Sequence, residues 1–163
     1  MIFATLGTDE HPFGRLLQEL ERLVREGKIK ERVVVQRGFT PYDGELLETY
    51  EILPFDKLVN LIKEARVVIA HGGPGSIMLS LLHGKKPVVV PRRREFGEVV
   101  DDHQMEFVKF LQSRGKVITV YEVNRLGEVL ENYRADKVIY SVEERVSDFT
   151  VRFEELISHL KDS

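Results

Sequence analysis

Short runs dominated by valine and isoleucine, Val33-Val34-Val35, Val67-Val68-Ile69-Ala70, Val88-Val89-Val90 and Val117-Ile118-Thr119-Val120, recur along the chain with helical periodicity between them. Runs this short and continuous read as strands covered on both faces, and such strands belong to a parallel sheet with helices above and below it. A strand near Ile2–Leu6 opens the chain, and Leu16, Leu17, Leu20, Leu23 and Val24 then line one face of a helix that ends near Gly27. After a polar connection over 38–48 that carries Pro41 and Gly44, Glu51-Ile52-Leu53 is a short strand candidate. Leu58, Val59, Leu61, Ile62 and Ala65 form the next helix face, and helices are expected over Ser76–His83 and Gln104–Leu111. The alternation predicts an α/β, Rossmann-like, doubly wound parallel sheet. Ligands of such sheets bind beyond the carboxyl ends of the strands. Gly7-Thr8, the loop before Leu58, residues 71–76 and the loop after Pro91 all fall at that edge.

With 163 residues and 42% apolar side chains, the chain is expected to form one domain, 1–163, with a core that needs no covalent staples. It has no cysteine, which excludes disulfides and thiolate metal sites and fits a reducing compartment. The 24 basic and 27 acidic residues are interspersed, so no nucleic-acid partner is expected. No apolar run approaches the roughly 20 residues of a membrane span, and the expected location is cytoplasmic. One basic run, Arg92-Arg93-Arg94, sits where a strand ends and is either a solvated loop or a surface facing a ligand. Towards the C-terminus, Phe149, Phe153, Leu156 and Leu160 follow helical spacing, which predicts an amphipathic helix at about 147–161 that packs on this domain or docks on a partner.

The motif with the most chemistry is His71-Gly72-Gly73-Pro74-Gly75-Ser76, placed between a buried strand and the apolar segment Ile77–Leu82. A glycine-rich turn feeding a helix leaves backbone N–H groups and the positive end of the helix dipole aimed at one spot, which suits a phosphate or diphosphate. The turn has no Gly-Lys-Ser/Thr ending, so the ATPase phosphate loop fails; it lacks the final glycine of a hydrolase nucleophile elbow. The first strand leads into Gly7-Thr8-Asp9-Glu10 rather than Gly-x-Gly-x-x-Gly, which disfavours NAD. The competing structural reading is a tight strand-to-helix connection whose glycines serve packing alone.

Thr5-Leu6-Gly7-Thr8 with His11-Pro12-Phe13, the 71–77 turn, Pro87-Val88-Val89-Val90-Pro91 and Asp101-Asp102-His103-Gln104-Met105-Glu106 together resemble the C-terminal, donor-binding half of the family 28 glycosyltransferases of GT-B fold. The likeness covers about residues 1–120 and is greatest to the stand-alone, PssE-like form of that half and its eukaryotic counterpart. The resemblance implies the donor subunit of a two-component, metal-independent, inverting hexosyltransferase that uses a UDP-sugar. Its partner would be a membrane-associated, PssD-like acceptor-binding subunit carrying a lipid-linked, polyprenyl diphosphate saccharide for exopolysaccharide or surface-glycan assembly. No cofactor is implied beyond the UDP-sugar substrate. By the same resemblance Gly7, Thr8, His71, Gly72, Gly73, Pro74, Gly75 and Ser76 surround the diphosphate. Phe55 meets the uracil, His103 and Gln104 hold hydroxyls of the donor sugar, and Arg92, Arg93 and Arg94 face the acceptor.

Helix N-terminal N–H groups can stabilise the leaving diphosphate without a cation. Asp101-Asp102-His103 is not an Asp-x-Asp metal motif, and the five histidines show no zinc-type pairing. The chain departs from the resemblance at one position: the family's ribose-gripping glutamate on the helix after the glycine turn is replaced by Leu79, which leaves Ser80 as the candidate for the ribose. No general base is evident, and the resemblance places that group on the partner subunit. The alternative function is a non-catalytic nucleotide-sugar sensor or enhancer of a partner transferase. A hydrolase or epimerase on the same architecture is disfavoured because it would need both halves and more carboxylates in the cleft.

Overall fold

The structure is a computed structural model and describes residues 1–135. The amphipathic segment at 147–161 lies outside the described residues. Six strands, β1 (Ile2–Thr5), β2 (Val33–Gln36), β3 (Glu48–Tyr50), β4 (Val67–Ala70), β5 (Val88–Val89) and β6 (Ile118–Thr119), form one sheet in the order β3-β2-β1-β4-β5-β6. Every neighbouring pair is parallel. The helices α1 (Gly14–Arg25), α2 (Phe55–Glu64), α3 (Pro74–Leu82), α4 (His103–Ser113) and α5 (Leu126–Asn132) cover the two faces.

Alternation along each strand sorts the core. Ile2, Ala4, Val33, Val35, Val67, Ile69 and Val88 point to one side and pack with Leu16, Leu20 and Leu23 of α1 and Leu126 and Leu130 of α5. Phe3, Val34 and Val68 point to the other side, against Leu61 and Ile62 of α2, and Ala70 and Val89 pack there with α3 and α4. Burial on both sides is why these strands read as unbroken apolar runs.

Two elements differ from the sequence reading. The third strand lies at Glu48–Tyr50, not 51–53: Val34, Val35 and Gln36 pair with Glu48, Thr49 and Tyr50, and the ladder ends as β2 ends. Beyond it, the Leu53 N–H donates to the side-chain Oε1 of buried Gln36, and Ile52 is 60% exposed. An edge strand is only half covered, so its sequence is polar and carries no valine run. The second difference is α5, which periodicity did not reveal because only Leu126 and Leu130 are buried in it. It reaches α1 through Gly127, where a Cβ would stand 2.7 Å from Cδ2 of Leu23.

Leu20 sits at the centre of the α1 face, fully buried against the sheet. Leu20→Ala is expected to lower the unfolding free energy by about 2–5 kcal/mol, read by urea denaturation, since it removes the contacts and leaves a cavity the strands cannot close.

Candidate functional site

Strand order makes a crevice before any side chain is considered. From β1 the chain crosses to β2 on one side, and from β4 it crosses to β5 on the other, so the loops leaving β1 and β4 diverge at the centre of the carboxyl edge. Those loops carry Gly7-Thr8 and His71-Gly72-Gly73.

His71 ends β4 with its ring buried, 7% exposed, and Nδ1 is 3.2 Å from the Thr5 carbonyl oxygen. A carbonyl only accepts, so Nδ1 carries the proton and Nε2 a lone pair. Burial, with the Arg92 cation nearby, pushes the imidazole down to about 4, and it is neutral at physiological pH. The ring fills the space between two turns. A Cβ on Gly7 would stand 2.5 Å from its Nε2, and one on Gly73 would overlap the same atom. Gly7 and Gly72 also take φ of +77° and +97°, which a side chain disfavours. Gly7 and Gly73 are therefore required by the packing of His71, and Gly7 and Gly72 by their backbone conformation. His71 itself is a neutral wedge, and any part it plays at a diphosphate is positional.

The α3 N-terminus follows directly. Gly73 is the N-cap and offers no side-chain cap, Pro74 occupies the first helical position, and the first turn has no acidic residue. Ile77 N–H is the first to reach back, to the Gly73 carbonyl at 3.2 Å. The N–H groups of Gly75 and Ser76 thus lack an α-helical partner. Gly75 is exposed, and a Cβ built there meets nothing within 4 Å, so the space in front of the turn is open. Thr8, exposed, stands on the adjoining β1 loop.

Around this opening the candidates divide. Phe55, the first residue of α2, is 69% exposed rather than a core aromatic. Ser80 is fully buried and donates its hydroxyl to the Ser76 carbonyl one turn back at 2.8 Å, so it is not a ribose ligand. Leu79 packs with the Phe3, Leu61 and Val68 cluster. His103 and Gln104 open α4, where the His103 N–H donates to Asp101 Oδ1 at 3.0 Å and the His103 ring is exposed. The Gln104 Oε1 is buried without a hydrogen-bond partner and stands 3.8 Å from where a Gly72 Cβ would be. An orphaned buried acceptor costs roughly 1–3 kcal/mol, which a hydroxyl donor from a ligand would recover.

The arginine run does not act as one surface. Arg92 is only 2% exposed: Nη1 donates to the carbonyls of His11 (2.6 Å) and Glu98 (2.8 Å), and Nη2 to that of Leu6 (2.6 Å). It ties the β1 loop to the β5 loop and cannot face an acceptor. Buried Glu98 completes the tie, taking Arg15 Nε at 2.7 Å and the Arg93 N–H at 2.9 Å. Arg92, Phe13, Arg15, Phe96 and Arg93 then stack in alternation, with guanidinium-to-ring distances of 5.0–5.2 Å. Arg93 pairs with Glu95 and Glu122. Arg94 is exposed, and with Arg93, Glu95, Asp102 and Met105 it lines a cavity of about 490 Å³. This clamp was not legible in sequence, because Arg15 and Glu98 lie 83 positions apart. A larger hollow, about 780 Å³, lies by the C-terminus of α1, where Arg22, Lys28 and Arg66 are already paired with carboxylates.

Residues 1–159 match the family described as glycosyltransferase family 28 C-terminal domain. The chain belongs to that family. The fold of this family 28 domain is also that of solved glycosyltransferases of GT-B type. SnogD from Streptomyces nogalater superposes with a TM-score of 0.58 and 22% identity, over 94% of this chain and 38% of that one. The glycotransferase of kitacinnamycin gives 0.56 and 19%, over 80% and 34%. The domain thus spans little more than a third of the length of those structures. No curated protein matches it. Among the described residues no helix is long and apolar enough to cross a membrane.

His71 makes the family 28 domain acid-sensitive in a calculable way. Its folded value, about 4, lies below the ordinary 6.5, so its contribution is complete above pH 6.5 and is lost as pH falls towards 4. At ~1.4 kcal/mol per unit this is on the order of 3 kcal/mol. His71→Asn, which can still donate to Thr5, is expected to be less stable than wild type at pH 7.5 and to lose less stability on acidification; urea melts at pH 7.5 and 4 measure the difference.

Proposed function

We propose that this chain is the donor-binding subunit of a UDP-sugar-dependent glycosyltransferase. The observation that carries the reading is the uncapped, unobstructed N-terminus of α3 at the sheet's switch point. A diphosphate there receives the Gly75 and Ser76 N–H groups and the positive helix end, and as the glycosidic bond breaks the same donors stabilise the charge that accumulates on the leaving group. Gln104 Oε1, held beside Gly72, takes a hydroxyl of the sugar, and His103 lies one residue away on the rim. Phe55, exposed at the start of α2, offers a face for the uracil. Ribose recognition falls to groups other than Ser80, whose hydroxyl is committed to the Ser76 carbonyl.

The finer reading rests on the likeness of the motifs to the stand-alone donor half. The chain works with a membrane-associated, PssD-like subunit that presents a polyprenyl diphosphate saccharide, transfers a hexosyl group with inversion, and reaches the cytoplasmic face of the membrane through that partner. Of the basic run, Arg94 is the candidate for an acceptor diphosphate, supported by its exposure, since Arg92 is consumed inside the protein.

Calorimetric titration with UDP, with and without chelator, tests the site directly, and equal affinity is expected in both. Gly75→Asp separates binding from folding. The open space accepts the side chain, and a carboxylate in the first turn of a helix adds ~0.3–1 kcal/mol of stability. The variant is therefore expected to melt no lower than wild type while binding UDP about tenfold more weakly or worse, ~1.4 kcal/mol. Gln104→Ala is expected to weaken a UDP-sugar by roughly 1–3 kcal/mol and UDP hardly at all; equal losses would move Gln104 off the sugar.

A further inference from the structure

The loop that leaves β1 at the switch point holds a histidine–carboxylate pair that the donor site does not use. Asp9 Oδ1 lies 2.5 Å from Nδ1 of His11 and also accepts the His11 backbone N–H at 2.8 Å. The His11 carbonyl is held in turn by Arg92 Nη1 at 2.6 Å, so the buried guanidinium anchors the loop at this residue. The loop leaves β1 at the centre of the carboxyl edge and is tied by Arg92 to the β5 loop, which places the pair beside the crevice rather than on a remote surface. Both side chains remain about one-third exposed, 33% for His11 and 37% for Asp9.

The hydrogen-bond pattern decides the tautomer. The bonds from His11 and the nearby Arg92 hold the Asp9 carboxyl below its usual range, against the opposing effect of its partial burial. An ionised carboxylate only accepts, so Nδ1 of neutral His11 carries the proton and Nε2 presents a lone pair. A carboxylate that fixes the tautomer and stabilises the imidazolium is the arrangement that makes a histidine an effective base.

We propose that His11 is the general base of this chain, positioned by Asp9, and that it activates the hydroxyl that attacks the donor sugar. The inference rests on the donor-site reading above and supplies from this chain the group that the family resemblance assigned to a partner. In the step, His11 Nε2 takes the hydroxyl proton as the oxygen forms its bond to the anomeric carbon. The bond from that carbon to the diphosphate oxygen breaks, and its electron pair leaves on the diphosphate at the α3 N-terminus. With a saccharide hydroxyl the step is transfer; with water it is hydrolysis, which needs no acceptor subunit.

The purified full chain is incubated with UDP-glucose and, separately, UDP-N-acetylglucosamine, and released UDP is measured between pH 5 and 9 alongside calorimetric UDP affinity. Slow UDP release is expected, with a rate that rises with pH and then levels, as for a step that needs an unprotonated base. Asp9 on the same loop bonds the His11 ring, and Arg92 from the β5 loop bonds its carbonyl; His71 from the β4 turn lies within electrostatic reach of Asp9 and is neutral. His11→Gln is expected to lower kcat by about 10²–10⁴-fold with the UDP affinity unchanged. Asp9→Asn should lower kcat less than His11→Gln and leave the UDP affinity unchanged, because the carboxylate that orients the ring is gone while the ring remains; circular dichroism melts establish that each variant is folded. UDP binding without UDP release by wild type, a His11→Gln rate close to wild type, or a loss confined to KM would overturn the base assignment and leave the donor site standing. Failure of wild type to bind UDP would overturn the donor-site reading and this one with it.

Discussion

One buried cation organises the carboxyl edge of the sheet in this protein. Arg92 lies almost wholly out of solvent, and moving an ion there costs several kcal/mol unless its hydrogen bonds are satisfied. The carbonyls of Leu6, His11 and Glu98 supply three partners, and they belong to the loops that follow β1 and β5, on either side of the β4 turn. Bonding the two terminal nitrogens of the charge therefore determines how those loops sit relative to one another. The Arg15–Glu98 pair and the stacked phenylalanines repeat the tie from the side of α1. A rim built in this way presents its backbone groups at fixed positions, the condition under which hydrogen bonds stabilise charge without reorganising.

Within that rim the proposed anion site is made of backbone. His71 is the most conspicuous polar side chain at the centre, yet it is neutral, points a lone pair towards the glycines and acts as a wedge. Its size explains why Gly7 and Gly73 both lack side chains, and the unobstructed position of Gly75 explains how a ligand reaches the N–H groups beyond them. Side chains enter the site from its margins: Gln104 from α4, Phe55 from α2, and the Asp9–His11 pair from the β1 loop.

Much of this was legible in the chain because local physics writes it there. Strands covered on both faces must be apolar at every position, and the runs at 33–35, 67–70 and 88–90 announce themselves. The edge strand at 48–50 and the short α5 were not legible, because each buries too little to impose a pattern. The glycine turn was recognisable as an open helix N-terminus from its place between strand and helix. The fates of Ser80 and Arg92 were not: a hydroxyl on a helix looks the same whether it faces a ligand or bonds the preceding turn, and an arginine in a basic run looks solvated until its carbonyl partners arrive from other loops.

The sequence by itself determined the α/β architecture, the carboxyl edge as the place where the strand-to-helix loops gather, and the open turn at 71–76 as its centre, since each follows from periodicity or from backbone freedom within a few residues. Only the tertiary structure decided which polar groups are available to a ligand and which are used up inside the protein. Arg15 and Glu98 are 83 positions apart, and Arg92 and Leu6 are separated by 86. Whether a side chain meets solvent, a ligand or a carbonyl depends on what the fold brings to it, and no local window of sequence contains that partner.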